Sequence, residues 1–362
     1  MSDVNPTQPE RPFEIAHLSA TELFSPKRAQ TVAFFTELLG MSVVAEIGGS
    51  TFLRAYEDPY AYSLKVTQRD QAGVGVITLR THSQQGLARR AQCIEASGRT
   101  GRWIDNEFGH GRAYEFVSPA GHALKLTWDV EYARVAPEDR TALLNRPSKR
   151  PTYGIPVRRL DHINLYAPDV TIAKQAFVDD LHFRLSEHIV LNDGSEAACW
   201  LRTTNLAHDV AISKDPTGQS GRLHHLAFWY GVPQHLMDLA ELCVDHDIVV
   251  EAGPGKHGIS QALFLYVIEP GGNRIELFGD AGYLIFDPAW KPVRWTEGEL
   301  AKSIIWIGSD LPREFFLYGS PNVGENDTAH KVARSGTVPI ARTRAPAPAA
   351  IDAEKSETLV RV

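Results

Sequence analysis

Three residues in the C-terminal half, His162, His225 and Glu276, combine the side chains and the setting that a metal centre needs. Each falls in a short apolar run that reads as a strand: Leu160-Asp161-His162-Ile163-Asn164-Leu165, Arg222-Leu223-His224-His225-Leu226-Ala227-Phe228 and Arg274-Ile275-Glu276-Leu277. The period-2 alternation of strand side chains sets His162 and Asn164 on one face, opposite Ile163, and Glu276 with Arg274 opposite Ile275. A carboxylate and imidazoles enclosed among strands are costly unless they are paired or hold a metal. Two histidines and one carboxylate make a facial triad that leaves half of an octahedral ion open. That arrangement suits Fe(II) binding a substrate and O2 together. On spacing alone, a lone histidine in a chain with 14 of them is more often a hydrogen-bonded core or surface imidazole than a ligand.

The strands that would position these residues belong to a repeat. The first half opens with Ile15-Ala16-His17-Leu18, continues through a helical stretch ending in Phe35-Thr36-Glu37-Leu38-Leu39-Gly40-Met41, and closes on a strand–turn–strand from Tyr114 to Leu126. The second opens with Leu160–Leu165, runs to Phe177–Phe183 and closes on Leu265–Leu277, where Pro270-Gly271-Gly272-Asn273 is tight-turn chemistry between alternating strands. The same element order twice implies duplication. In the first half Lys125 occupies the slot of Glu276, His17 aligns with His162, and Thr78-Leu79-Arg80 stands roughly where a His-His pair would be needed. An ammonium cannot replace a carboxylate ligand, so that half is expected to be a packing partner without metal. The Pro/Arg/Lys-rich stretch from Asn145 to Pro156 reads as a linker, giving modules of residues 1–150 and 151–335. Residues 1–11 are expected to be flexible and 336–362, rich in Ala-Pro and without apolar periodicity, disordered.

Composition narrows the field. An apolar fraction of 43% and a charged fraction of 22% are ordinary globular values and exclude a wholly disordered chain. A formal charge of −7 repels phosphate backbones and argues against a nucleic-acid partner. No apolar run approaches the roughly 20 residues of a membrane span. Three scattered cysteines make neither a disulfide framework nor a cysteine metal cage and fit a reducing cytoplasm, and the N-terminus has no secretion signal.

Seven pieces of the second half, in order, are similar to the type I extradiol ring-cleaving dioxygenases of the vicinal oxygen chelate superfamily, its catechol 2,3-cleaving branch in particular. They are Arg-Leu-Asp-His-Ile-Asn (159–164), Ala-Cys-Trp-Leu-Arg (198–202), His208-Asp209, Arg-Leu-His-His-Leu-Ala-Phe (222–228), Gly-Pro-Gly-Lys-His-Gly (253–258), Phe-Leu-Tyr (264–266) and Pro-Gly-Gly-Asn-Arg-Ile-Glu (270–276). The resemblance implies an α+β fold of two vicinal-oxygen-chelate modules, each a pair of β-α-β-β-β units, with the C-terminal sheet an open barrel around the metal. It implies His162, His225 and Glu276 as ligands, with His224 a structural neighbour on the other face of the strand. His208 becomes the acid/base, Tyr266 and His257 the groups that hold the bound catecholate, and Asn164 and Trp200 lesser pocket positions, although a plain core role suits Trp200 nearly as well. The cofactor implied is Fe(II) rather than Mn(II). The partners implied are a catechol and O2, and the assembly a cytoplasmic homotetramer serving aromatic hydrocarbon catabolism. A substrate bearing a carboxylate would need a buried cation, yet Ala252 stands where acid-cleaving relatives carry an arginine, so a neutral catechol is expected, with Lys256, Lys291 and Arg294 as cations that could reverse this. The competing readings are another reaction of the superfamily and a non-catalytic binder of small aromatics.

Overall fold

The computed structural model describes residues 13–322 with the exception of residue 281. The termini expected to be flexible or disordered, and the last residues assigned to the second module, lie outside that range.

The first module is an eight-stranded sheet of β1 (Ile15–Ser25), β2 (Ser42–Ile47), β3 (Ser50–Arg54), β4 (Leu64–Gln68), β5 (Gly73–Thr81), β6 (Gly101–Ile104), β7 (Ala113–Val117) and β8 (Ala123–Thr127). The second is a nine-stranded sheet of β9 (Arg159–Ala167), β10 (Arg184–Val190), β11 (Glu196–Arg202), β12 (Val210–Lys214), β13 (Leu223–Trp229), β14 (Val249–Lys256), β15 (Leu263–Ile268), β16 (Arg274–Phe278) and β17 (Val293–Thr296). Helices α1 (Arg28–Ala33), α2 (Gln84–Ala96), α3 (Val170–Asp179) and α4 (Gln234–Asp245) complete four β-α-β-β-β units. Short helices α5 (Leu300–Ile304) and α6 (Arg313–Leu317) follow the second sheet. Among the described residues no helix is long and apolar enough to cross a membrane.

The strand orders are β2-β3-β4-β1-β5-β8-β7-β6 and, read in the matching direction, β17-β10-β11-β12-β9-β13-β16-β15-β14. The second is the first plus one edge strand, β17, which pairs in parallel with β10. The duplication read from the sequence is therefore a duplication of topology.

Local chemistry starts the helices. Ser83 caps α2 by accepting from Gly86 N (2.9 Å), and Asp169 caps α3 by accepting from Ile172 N (2.9 Å), contacts worth about 1 kcal/mol each. Leu160, Ile163 and Leu165 on β9, with Leu226 and Phe228 on β13, join a core continuous with Leu23, Phe35 and Leu79 of the first module. The intervening residues of the same strands are thereby turned to the sheet's other side, where the cavity lies.

Each module's last hairpin plugs into the other module. At the turn of β15–β16, Glu269 accepts from Gly271 N, Asn273 N and Asn273 Nδ2 and from Thr31 Oγ1 of the first module (2.6 Å), while Asn273 Nδ2 also donates to Phe24 O (3.0 Å). At the turn of β7–β8, Ala120 O accepts from Gly221 N (2.7 Å) and His122 Nε2–H donates to Arg222 O (2.9 Å). Gly121 and Gly272 sit at φ +86° and +108°, conformations side chains resist, so both turns depend on glycine.

Candidate active site

The residues lining the main cavity of the second module include members of β9, β10, β11, β12, β13, β15 and β16, so the sheet curls around it as an open barrel. Its volume is about 240 Å³. Ile189, Trp200, Ile259, Phe278, Ile304 and Phe315 form apolar walls, and His162, His225 and Glu276 meet inside.

His162 comes from β9, His225 from the antiparallel neighbour β13 and Glu276 from β16, parallel to β13 on its other side. All three are at most 4% exposed. His162 Nε2 lies 2.8 Å from Glu276 Oε2, His225 Nε2 3.1 Å from the same oxygen, and the two Nε2 atoms 3.3 Å apart.

Their hydrogen bonds define which nitrogens are free to ligate. His162 Nδ1–H donates to Asp161 Oδ2 (2.9 Å). Arg274, which can only donate, reaches His224 Nδ1 (3.3 Å), so that nitrogen is an acceptor and takes the Nδ1–H of His225 (2.8 Å). Both imidazoles thus turn Nε2 toward a carboxylate oxygen, the disposition of metal-ligating histidines held by outer partners.

The electrostatics agree. Burial alone would lower the His162 imidazole, but the Glu276 and Asp161 carboxylates outweigh it and raise its pKa to about 9. The point therefore favours positive charge. Burial would lift the Glu276 carboxyl, yet the two imidazoles hold it well below the ordinary carboxylate range. Burial lowers His225 to about 4. Two nitrogens and one oxygen converge on one point, and a divalent ion of the Mn(II) or Fe(II) kind fits there by displacing the proton that His162 otherwise shares with Glu276.

The other expected residues gather around this point. His208 is buried, its ring centroid 4.2 Å from that of His162, and its Nδ1 has no hydrogen-bond partner among the described residues. Burial pushes its pKa well below the ordinary value, so the ring is neutral. It was expected on a strand; it lies instead in the connection just before β12, where Asp209 accepts from Thr203 N and Thr204 N and folds the chain back. Tyr266 stands opposite Glu276 on β15, and burial keeps its hydroxyl protonated. His257 Nδ1–H donates to Ile304 O (2.5 Å), so its ring turns Nε2 toward Tyr266 Oη (3.0 Å) and Glu276 Oε1 (3.5 Å). Asn164 borders the cavity and accepts from Ser213 Oγ (3.1 Å); Trp200 borders it too.

Three expectations need correction. His224 was assigned to the other face of its strand, but it lines the same cavity as His225, because the pairing of β13 with β9 slips between Leu223 and His225. A bulge breaks the period-2 rule. His17 was aligned with His162. The strand registers instead match Thr21 with Ile163, since each pairs with the equivalent residue on both sides, Ile77 and Leu64 in the first module and Leu226 and Val210 in the second. The same registers put Ala20 at the position of His162 and Val76, not Thr78–Arg80, at that of His225; Lys125 does match Glu276, pairing with Thr78 as Glu276 pairs with Ala227. His17 contacts Tyr60 Oη instead (2.9 Å). Finally, the cation bordering the cavity is the exposed Lys214 rather than Lys256, Lys291 or Arg294. Ala252 is buried against Phe264, Tyr266 and Phe315.

Sequence reasoning also missed Asp161, although it adjoins its histidine, and the cap made by Leu300, Ile304, Phe315 and Phe316. Nothing in the periodicity of α5 and α6 advertises that role.

Residues 159–277 match the family model of the glyoxalase/bleomycin resistance protein/dioxygenase superfamily. The chain is 49% identical over 310 residues to a metapyrocatechase of Geobacillus stearothermophilus, covering 85% of this chain and 94% of that one. It is 38% identical over 302 residues to a manganese-dependent 2,3-dihydroxybiphenyl 1,2-dioxygenase of Geobacillus genomosp. 3, covering 82% and 95%. The homoprotocatechuate 2,3-dioxygenase structure from Arthrobacter globiformis superposes with a TM-score of 0.74 at 24% identity, over 88% of this chain and 96% of that one. The fold is that of the vicinal oxygen chelate superfamily. Within it, the chain belongs to the extradiol ring-cleaving dioxygenases.

Proposed function

We propose that this protein cleaves catechol, or a catechol with a small neutral substituent, beside its diol with O2, placing both oxygen atoms in a 2-hydroxymuconate semialdehyde. The observation that carries this is the convergence of His162 Nε2, His225 Nε2 and Glu276 Oε2 inside a largely apolar cavity of about 240 Å³. The residues would hold one Fe(II) per chain in the module of residues 151–335, while the module of residues 1–150 binds none. Bound there, the ion would hold catecholate and O2 side by side and pass electron density between them.

The rest is the work of side chains. Neutral His208 accepts a proton from the catechol and returns it later in the reaction. Tyr266, kept protonated, turns its O–H from His257 Nε2 to donate to a catechol oxygen, and His257 helps hold the same catecholate. Asn164 and Trp200 shape the cavity on the opposite side. Phe278, Ile304 and Phe315 exclude water and hold the ring in one orientation, so reactants meet as neighbours rather than by collision. Ala252 and the apolar walls favour a neutral ring. The relative named for manganese favours Mn(II) as a second reading of the ion. A cytoplasmic setting and a homotetramer belong to the same proposal, the latter checked by light scattering.

The deciding experiment loads metal-free protein with Fe(II) or Mn(II) anaerobically and follows yellow product and O2 uptake. Catechol, 3- and 4-methylcatechol, protocatechuate and homoprotocatechuate are compared by kcat/KM. Iron should give the higher turnover, and a neutral catechol the highest kcat/KM. If an acid beats all three neutral catechols, Lys214 or another cation governs the pocket; if no catechol is cleaved with either ion, the reading fails.

A further inference from the structure

The first module keeps a cavity at the position equivalent to the catalytic one, with about the same volume, 250 Å³. By strand register Ala20 stands for His162, Val76 for His225, Lys125 for Glu276, Tyr62 for His208, Phe52 for Trp200 and Glu22 for Asn164. All six border this cavity. The metal-binding chemistry is gone, but the hollow has not been filled, as an unused pocket in a well-packed interior would be.

Its lining has a definite chemistry. Phe52, Tyr62 and Phe108 pack on one another with ring centroids 4.8–5.9 Å apart and form an aromatic wall. Two ion pairs also border the cavity, with Lys65 Nζ lying over the Phe52 ring at 5.7 Å from its centroid. Lys125 Nζ, on a side chain only 6% exposed, contacts Glu107 Oε2 at 2.6 Å, and Lys65 Nζ contacts Glu22 Oε1 at 2.9 Å. Glu22 also accepts from Thr67 Oγ1 (2.6 Å) and Val76 N (3.3 Å). Lys125 uses one of its three N–H donors on Glu107. The two ammonium groups and two carboxylates sum to zero, so an ionic ligand would bring in an unbalanced charge and a neutral one would not. A neutral hydroxylated ring satisfies every surface: its face lies on the aromatic wall, a hydroxyl oxygen accepts from Lys125, and a hydroxyl hydrogen reaches a carboxylate.

We infer that this cavity is a second, non-catalytic site for a neutral hydroxylated aromatic of the catechol class. The choice of catechol rests on the function proposed above; the cavity and its lining do not.

The test is anaerobic equilibrium dialysis of the metal-loaded full chain with catechol. Wild type should bind two per chain. Lys125→Met should weaken one class of sites about tenfold or more, the scale of a hydrogen bond to a charged group, while kcat/KM at low catechol stays unchanged. Val76→Phe, which fills the hollow without touching the ion pairs, should leave one site and guards against misfolding of the first variant. One site in wild type, unaffected by either substitution, would overturn the inference. One site that both substitutions abolish would uphold the second site and instead remove catechol from the catalytic cavity.

Discussion

The two modules are one topology with opposite outcomes at the same points of the sheet. Where the second has imidazole, imidazole and carboxylate, the first has Ala20, Val76 and Lys125. Both keep a hollow of similar size, and both keep the hairpin that docks on the partner module. The barrel topology therefore does not require the metal residues. Chemistry enters through a few positions, and their support is local: Asp161 beside His162, and the Arg274–His224 relay behind His225. The first module lacks these as well as the ligands.

The comparison breaks most sharply if the second module loses its carboxylate. Glu276→Gln and His225→Ala are expected to lose bound metal and turnover together, down to background, with metal analysis of wild type giving one ion per chain. Two ions per chain, or full metal and turnover in Glu276→Gln, would make the two modules more alike than their residues state. His208→Phe should retain metal and lose roughly 10²–10⁴ in turnover, the scale of acid/base assistance. Next is Asp161→Asn, which removes the carboxylate that holds the His162 proton on Nδ1; metal affinity should fall roughly 10–100-fold, as for other outer-shell partners. Unchanged affinity by chelator competition would mean that the strand backbone and the neighbouring rings orient His162 without it.

Much of this was legible in the sequence because strand periodicity and turn chemistry are local. His162, Asn164 and Glu276 obey alternation, and Pro270-Gly271-Gly272-Asn273 marks its hairpin without ambiguity. What failed was register. His17 resembles His162 in its immediate neighbours, Ala16-His17-Leu18 against Asp161-His162-Ile163, but pairing with β4 and β5 decides the match, and it lies three residues further on at Ala20. Likewise the bulge before His225 depends on how β13 meets β9. The cap from α5 and α6 was invisible because its carbonyls are held by distant groups. Arg274 donates to Phe315 O and Tyr318 O, and Arg222 to Leu317 O, Gly319 O and Pro321 O.

The exchanged hairpins offer a milder test, since both modules depend on them. Thr31→Val removes one hydrogen bond to the buried Glu269 and should cost about 1–3 kcal/mol, seen as a lower Tm with metal content retained. A loss of metal without a loss of stability would show that the first module tunes the catalytic hairpin rather than merely supporting it.

The smallest expected effect concerns Glu107, whose partner Lys125 stands where the metal-binding carboxylate would be. Its pKa is held down to about 2, first by the hydrogen bond from His110 and then by Lys125, with burial acting in the opposite direction. A carboxyl lower in the folded state than unfolded contributes stability that is complete above its unfolded value near 4.5 and disappears as pH falls from there toward 2. Glu107 is 46% exposed, so solvent screening limits the contribution to under about 1 kcal/mol. Glu107→Gln should therefore lower the denaturant midpoint slightly between pH 5.5 and 8, and the gap to wild type should narrow in acid. Urea titrations of both proteins across that range supply the measurement. A gap that changes between pH 5.5 and 8 would mean that a group titrating near neutrality governs the pair, and the inverted charge at Lys125 would then be a pH-responsive feature of the first module rather than a fixed one.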